Sequence, residues 1–357
     1  MLYETITAIL LAAHLLLVDV AMAGPIVAMA IAWRPRSVIS LEAEIIARQT
    51  AWLAVGSLVG GALLGVVLLA FRWGTSDRSY FAAVSVVPTD RLWFALAEFF
   101  FSLVCLTLYA VLWNRLRTRP IVQRLLALAG ASNLLMHFPA LFSIISIIST
   151  RAELAGQTLD RAGFRQMLID GEVLSRVAHV WLAAFAVAPL AMIALAFRLA
   201  RRSNTPPNSV LIRRGAQIAL TATMLQYPVG IWVAMQVPAT SQEALLGGDT
   251  LTTCLFGASL LFVMLLMHLL SALALNEPNW RTAHWTLAVM CLLVLLMVGA
   301  RQRLTNLAQV IAVHATQRQI KQPTKLFTSA NGTYLATTNL VTTDSPHSQR
   351  RLYHPWR

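Results

Sequence analysis

The stretch that decides the fold lies near the start of the chain, at residues 12–33, and reads AAHLLLVDVAMAGPIVAMAIAW. It exceeds the roughly 18 apolar residues that distinguish a membrane-spanning helix from a buried core helix. Similar stretches recur along the chain, and polar breaks separate them. We therefore predict an all-α, polytopic transmembrane bundle. Its spanning helices are placed at residues 5–33, 49–71, 91–113, 121–149, 173–199, 211–237, 250–275 and 281–300.

The composition agrees with this fold and excludes most soluble classes. The chain has 357 residues, of which 57% are hydrophobic and 12% charged, about half the charged share of a soluble domain. Its net charge of +13 would suggest nucleic acid in a soluble protein. Here the arginines cluster at helix ends, which membrane orientation and anionic lipid explain, so we expect no nucleic-acid partner. We expect residues 1–300 to form the bundle and residues 301–357 an amphipathic, then disordered, tail.

The loops predict the orientation of the chain. Arginines mark the first, third and fifth loops, whereas most loop acids lie in the second, fourth and sixth. The positive-inside rule therefore places the odd loops in the cytoplasm and the N-terminus outside. The small residues at 21–24 resemble a signal-peptide cleavage site, but the first five residues carry no positive charge, so we expect a mature helix. The loop arginines are Arg34, Arg36, Arg48, Arg115, Arg117, Arg119, Arg124, Arg198, Arg201, Arg202, Arg213 and Arg214.

Ionisable side chains inside the predicted spans are functional candidates, because polar groups are expensive at membrane depth. Histidine is a common axial haem ligand, since its neutral imidazole nitrogen binds iron. The alternative is that an intramembrane histidine only hydrogen-bonds a neighbouring helix, and it stays open, above all for His137 and His268. The candidates are His14, Asp19, Glu98, His137, Arg176, His179 and His268.

Four stretches together resemble subunit I of the cytochrome bd oxidase superfamily over the first five helices. They are residues 12–33, quoted above; FRWGTSDRSYF at 71–81 with ALAEFFFSLVCLTLYAVLWNRL at 95–116; AGASNLLMHFPALFSI at 129–144; and LSRVAHVWLAAFAVAPLAM at 174–192. The resemblance implies that His14 ligates the iron of a high-spin haem and His179 that of a low-spin haem b. Arg176 lies three residues before His179 on the same helix face, where it could pair with a haem propionate.

The third helix departs from the family pattern. The family carries two glutamates there, eight residues apart, and Phe94 and Ser102 occupy those positions. Glu98 lies midway, one turn from each, and residues four apart share a helix face. Glu98 is therefore our catalytic candidate, with a remnant or structural acid as the alternative.

The later helices also depart from the family. The methionine that should ligate the low-spin haem is replaced by Leu255 or Cys254, and Met235 and Met297 are candidate substitutes. The outer loop that binds quinol in the family is cut to residues 238–249, and the late glutamate ligand is absent. A working quinol oxidase is therefore not expected.

The leading functional prediction is a divergent cytochrome bd-like subunit of a bacterial inner-membrane respiratory chain. It would hold one or two b-type haems and pass electrons to other membrane subunits, with a c-type cytochrome or quinol as a further partner and lipid around it. One alternative is a non-enzymatic membrane scaffold that has lost its haems. Another is a small-molecule or proton transporter using Asp19 and Glu98, although the sequence shows no inverted repeat.

Overall fold

The computed structural model describes residues 2–33, 40–74, 79–116, 118–151, 158–321, 328–329 and 332–333. Several predictions lie outside the described residues, namely the positions of Arg34, Arg36 and Arg117, residues 152–157 of the fourth loop, and most of the tail after residue 321. The chain divides into two compact units, Met1–Gln309 and Val310–Arg357.

α-Helices, most of them long, form nearly all of the described structure. They are α1 (Leu2–Ala32), α2 (Leu41–Trp73), α3 (Ser79–Val86), α4 (Thr89–Val111), α5 (Trp113–Leu116), α6 (Pro120–Thr150), α7 (Arg161–Leu168), α8 (Gly171–Ser203), α9 (Ser209–Gln236), α10 (Ala239–Glu243), α11 (Thr250–Leu275) and α12 (Trp280–Lys321). A single π-helical turn, Ala244–Gly248, joins α10 to α11. In the second unit, the short strands β1 (Thr328–Ser329) and β2 (Gly332–Thr333) pair antiparallel.

Eight helices of the described chain are long and apolar enough to cross a membrane: α1, α2, α4, α6, α8, α9, α11 and α12. The predicted all-α, multi-pass fold is therefore confirmed. The predicted loops differ from the structure in one respect, because they contain the short helices α3, α5, α7 and α10. None of these exceeds eight residues, which is too short for a periodic pattern to stand out in the sequence.

Polar side chains define where several spanning helices begin. Ser40, Asp170, Asn208 and Asp249 each accept a hydrogen bond from a backbone N–H of the first turn that follows. Such caps satisfy amide groups that have no partner within the helix. Asn204 ends α8 in the left-handed conformation, at φ 50°, which asparagine adopts more readily than most residues.

The first helix lies at the centre of the bundle, where it contacts α2, α6 and α8. Glycines allow α1 and α2 to approach closely: a Cβ added to Gly24 would lie 3.2 Å from the Cβ of Ala54, and one added to Gly61 would lie 3.1 Å from Val18. Small residues at helix contacts are the usual basis of tight packing in membranes. Further pairs of contacting helices are α4 with α6, α8 with α9, and α9 with α11.

Contacts between helix termini define one end of the bundle, which we call the N-terminal end because α1 begins there. The ring of Tyr3 at the start of α1 stacks on Phe71 near the end of α2, with 4.9 Å between centroids. Glu4 accepts a hydrogen bond from Asn306 of α12 at 2.9 Å.

Two arginines of α12 place further helix termini at this end. Arg301 bonds Ser146 near the end of α6, as does Arg176 near the start of α8. Arg303 faces Asp249, which precedes α11. The beginnings of α1, α8 and α11 and the ends of α2 and α6 therefore lie at this end, and the chain order adds the beginning of α4 and the end of α9.

Candidate functional site

His14 of α1 is held by the backbone of α2. Its Nδ1 lies 2.8 Å from the carbonyl oxygen of Gly61. A carbonyl oxygen only accepts hydrogen bonds, so Nδ1 carries the hydrogen and Nε2 keeps its lone pair. Gly65, one turn further along α2, makes room for the ring, because a Cβ there would lie 3.2 Å from Cε1 of His14. The helix interface thus supplies both the acceptor that fixes the tautomer and the space for the imidazole.

This arrangement matches the chemistry of a metal-binding histidine. Such residues usually donate the ring N–H that faces away from the metal to a backbone carbonyl or carboxylate, which orients the ring and makes the other nitrogen more basic. In the part of the chain that the structure describes, Nε2 of His14 has no hydrogen-bond partner. The atom available to bind a metal here is therefore Nε2 of His14, a neutral imidazole nitrogen with a lone pair.

His179 of α8 lies in a different environment, because its buried Nδ1 has no hydrogen-bond partner among the described residues. Leaving a buried polar atom unpaired costs about 1–3 kcal/mol. The helix around it is fixed from two sides. Gln226 of α9 donates to the backbone carbonyl of His179 at 3.5 Å, and Trp181 donates its Nε1–H to the carbonyl of Leu135 at 2.6 Å. These bonds fix the backbone of α8 around His179, while the buried ring nitrogen stays unpaired among the described residues.

At the α4–α6 interface, in contrast, the hydrogen bonds that the described residues form between the helices are made by Asn133 and not by the histidine. His137 has its Nδ1 3.1 Å from the carbonyl oxygen of Asn133 in its own helix, and its ring meets Phe94 edge to face at 5.4 Å between centroids. Asn133 donates to the backbone carbonyl of Glu98 and to Oγ of Ser102, both at 2.8 Å. These contacts favour a structural role for His137.

Two carboxyl groups inside the spans have no partner among the described residues. Glu98 is half-buried, and it lies on the inward face of α4, four residues before the fully buried Ser102. Asp19 of α1 is 6% exposed. No hydrogen bond or ion pair of the described residues joins the two side chains.

Arg176 makes an ion pair that the sequence analysis missed. Its guanidinium donates to the carboxylate of Glu172, four residues earlier on α8, at 2.5 Å. The other carboxylate oxygen accepts from Arg151 at 2.6 Å, and Glu172 is only 4% exposed. A glutamate four residues before an arginine on a helix is a readable signal for such a pair. The predicted contact between Arg176 and a haem propionate stays a prediction.

The two candidate methionines differ in their surroundings. Met235 lies near the end of α9 with 69% of its surface exposed. Met297 of α12 is half-buried and packs against the main core cluster, to which Val180 and Trp181 of α8 also contribute. Cys254 is exposed. The structure therefore places Met297, and not Met235, in the core that α8 shares.

The two glycines beside His14 could have been found in the sequence. Gly61 and Gly65 form the GxxxG spacing that marks close helix contacts in membranes. The sequence does not show which helix packs against these glycines, and so it does not show that His14 is the residue in contact with them.

Comparison with known proteins identifies the fold. No protein-family model matches the sequence, and no curated protein matches it. Among solved structures, the chain is similar to the bd oxidase from Geobacillus thermodenitrificans, with a TM-score of 0.61 and 13% sequence identity. The similarity covers 85% of this chain and 86% of that chain. The chain thus has a bd-oxidase-like fold along most of its length.

Proposed function

We propose that this chain binds b-type haem through His14 and His179, and that it passes electrons as a subunit of a respiratory membrane assembly. The observation that carries the proposal is the imidazole of His14, whose Nδ1–H is fixed by the carbonyl of Gly61 and whose Nε2 is free to bind a metal. The bd-oxidase-like fold supports it.

Two glycines of α2 orient the ring of His14 for cofactor binding. Gly61 fixes the tautomer and orientation of the ring, and Gly65 leaves the room that the ring occupies. When bound, a haem would supply reversible one-electron chemistry that no side chain provides. The ligand basicity set by the carbonyl, together with the apolar surroundings, would tune its potential.

His179 is the proposed ligand of the low-spin haem. Its buried Nδ1 has no hydrogen-bond partner among the described residues, which supports a ligand role over a purely structural one. Met297 is the better candidate for the opposite axial position, because it lies in the core that includes α8, whereas Met235 is mostly exposed. Glu98, half-buried and without a partner among the described residues, is the proposed acid of the site.

Haem content and its dependence on His179 test this function. The reduced-minus-oxidised visible spectrum of the purified chain is predicted to show a b-type α band. His179→Ala is predicted to remove the low-spin component, because no neighbouring residue can replace the axial nitrogen. His268→Ala is the matched control, since His268 is an exposed histidine on α11. A colourless wild-type preparation would contradict the proposal and favour the scaffold alternative.

The proposed orientation puts the N-terminal end of the bundle outside a bacterial inner membrane. Support comes from the opposite end, where ten arginines of the described residues cluster near helix termini. They are Arg48, Arg115, Arg119, Arg124, Arg198, Arg201, Arg202, Arg213, Arg214 and Arg281. Cysteines introduced at Ser203 and Ser241 are predicted to react from opposite faces, with Ser203 cytoplasmic. Labelling of both from one face would contradict this orientation.

The partners follow from the proposed role and from the surface. Large apolar side chains such as Leu261 and Met264 of α11 are 73% and 58% exposed, and in a membrane such faces contact lipid or other membrane subunits. A c-type cytochrome or a quinol is the proposed further partner.

A further inference from the structure

Arginines from two helices converge on one hydroxyl group at the N-terminal end of the bundle. Ser146 of α6 accepts a hydrogen bond from Nη2 of Arg301 of α12 at 2.9 Å and from Nη1 of Arg176 of α8 at 3.4 Å. Two guanidinium groups therefore share a single neutral oxygen, although each is a cation that binds a charged acceptor more strongly.

The positive charge of this cluster exceeds its negative charge. Glu172 is already paired with both Arg151 and Arg176. Within the described ranges, no carboxylate pairs with Arg301. Three arginines thus face one glutamate, and the excess of two positive charges is concentrated around Ser146. An anion beside Ser146 would relieve this repulsion.

An apolar strip runs along α6 from this cluster. Arg301 is exposed, and Ser146 is half-buried one turn before α6 ends. Phe142 and Phe138 lie one and two turns before Ser146 on the same face, with their rings stacked at 6.4 Å and Phe142 48% exposed. The surface thus combines a cationic head at the end of a spanning helix with an apolar strip that continues toward the middle of the membrane.

We propose that Arg301, Arg176 and Ser146 bind the phosphate of an anionic phospholipid, whose acyl chains lie along Phe142 and Phe138. A planar guanidinium presents a donor fork that matches phosphate oxygens. A phosphate there replaces the Ser146 hydroxyl as the shared acceptor. The excess positive charge favours a lipid of net negative charge over a zwitterionic one. Arg176 is thereby assigned to the phosphate instead of a haem propionate.

Lipid titrations of the full-length chain in detergent test the site, with the thermal unfolding midpoint as the readout at fixed ionic strength. Phosphatidylglycerol is predicted to raise the midpoint at lower concentration than phosphatidylcholine, and inorganic phosphate is predicted to have no effect at the same concentrations. Arg301→Gln is predicted to weaken the phosphatidylglycerol effect by about tenfold, the size expected for one lost hydrogen bond to a charged group. Arg301→Lys, which keeps the charge but loses the fork, is predicted to fall between.

Arg303→Gln is the matched control, because Arg303 lies two residues further along α12 and faces Asp249 at 3.7 Å instead of Ser146. It is predicted to respond like the wild type. Equal responses of Arg301→Gln and the wild type would overturn the proposal, as would an equal effect of inorganic phosphate. Loss of haem from Arg301→Gln with unchanged lipid affinity would also overturn it, and would assign the arginine to the haem site.

Discussion

The interface between α1 and α2 and the interface between α4 and α6 each contain a histidine, yet they treat it differently. At the first, His14 crosses to the backbone of the opposite helix and keeps Nε2 unpaired among the described residues. At the second, His137 turns back to a carbonyl of its own helix, and Asn133 joins the two helices instead. The hydrogen bonds of an intramembrane histidine thus depend on the neighbouring helix as much as on its position in its own helix.

The glycines of the two interfaces also differ in what they contact. Gly65 leaves the space that the ring of His14 fills, so the imidazole is received between the helices. Gly130 of α6 serves direct packing instead: a Cβ there would lie 2.7 Å from Cδ2 of Leu106 and 3.3 Å from the Cβ of Cys105. Gly65 therefore makes room for the imidazole of His14, whereas Gly130 brings α6 into contact with α4.

The largest effect on stability is expected for Gly130→Ala. Leu106 is 1% exposed and so has little room to move away from the new methyl group. Overpacking of this kind costs about 1–3 kcal/mol, partly offset by the roughly 1 kcal/mol by which alanine is favoured over glycine inside a helix. Unfolding of the purified protein in mixed detergent micelles measures the change.

Gly56→Ala is the control for the helix-propensity gain, because a Cβ at Gly56 meets nothing within 4 Å. The free energy of unfolding of Gly130→Ala is predicted to lie about 1–3 kcal/mol below that of Gly56→Ala. Equal stability of the two variants would mean that the α4–α6 interface is looser than the structure shows.

A smaller effect on stability, but a specific one on the site, is expected for Gly65→Ala. The new methyl group would lie 3.2 Å from Cε1 and 3.5 Å from Nδ1 of His14, so the ring must shift by a few tenths of an ångström. The hydrogen bond to Gly61 weakens, and such bonds in membranes average about 0.6 kcal/mol. The high-spin haem signal of Gly65→Ala is predicted to fall, whereas that of Gly56→Ala stays at the wild-type level. Equal high-spin signals from Gly65→Ala and Gly56→Ala would mean that the contact between Gly65 and His14 does not affect haem binding.

The fold could be predicted from the sequence because the signal for a spanning helix is local: an apolar stretch of sufficient length is visible without any knowledge of its neighbours. His14 could also be selected as a candidate, since an ionisable side chain in such a stretch is rare. The acceptor at Gly61 could not, because it depends on the register between two helices. The shared contact of Arg176 and Arg301 with Ser146 was missed for the same reason, since it joins three helices far apart in sequence.

The most direct test of the proposed function is the visible and electron paramagnetic resonance spectrum of His14→Ala beside that of His137→Ala. His14→Ala is predicted to lose the high-spin haem signal and to retain the low-spin signal assigned to His179. His137→Ala is predicted to retain both, because Nδ1 of its ring contacts a carbonyl of its own helix and Asn133, not His137, bonds α6 to α4. A high-spin signal that survives in His14→Ala, or that disappears only in His137→Ala, would contradict the assignment of His14 as a haem ligand.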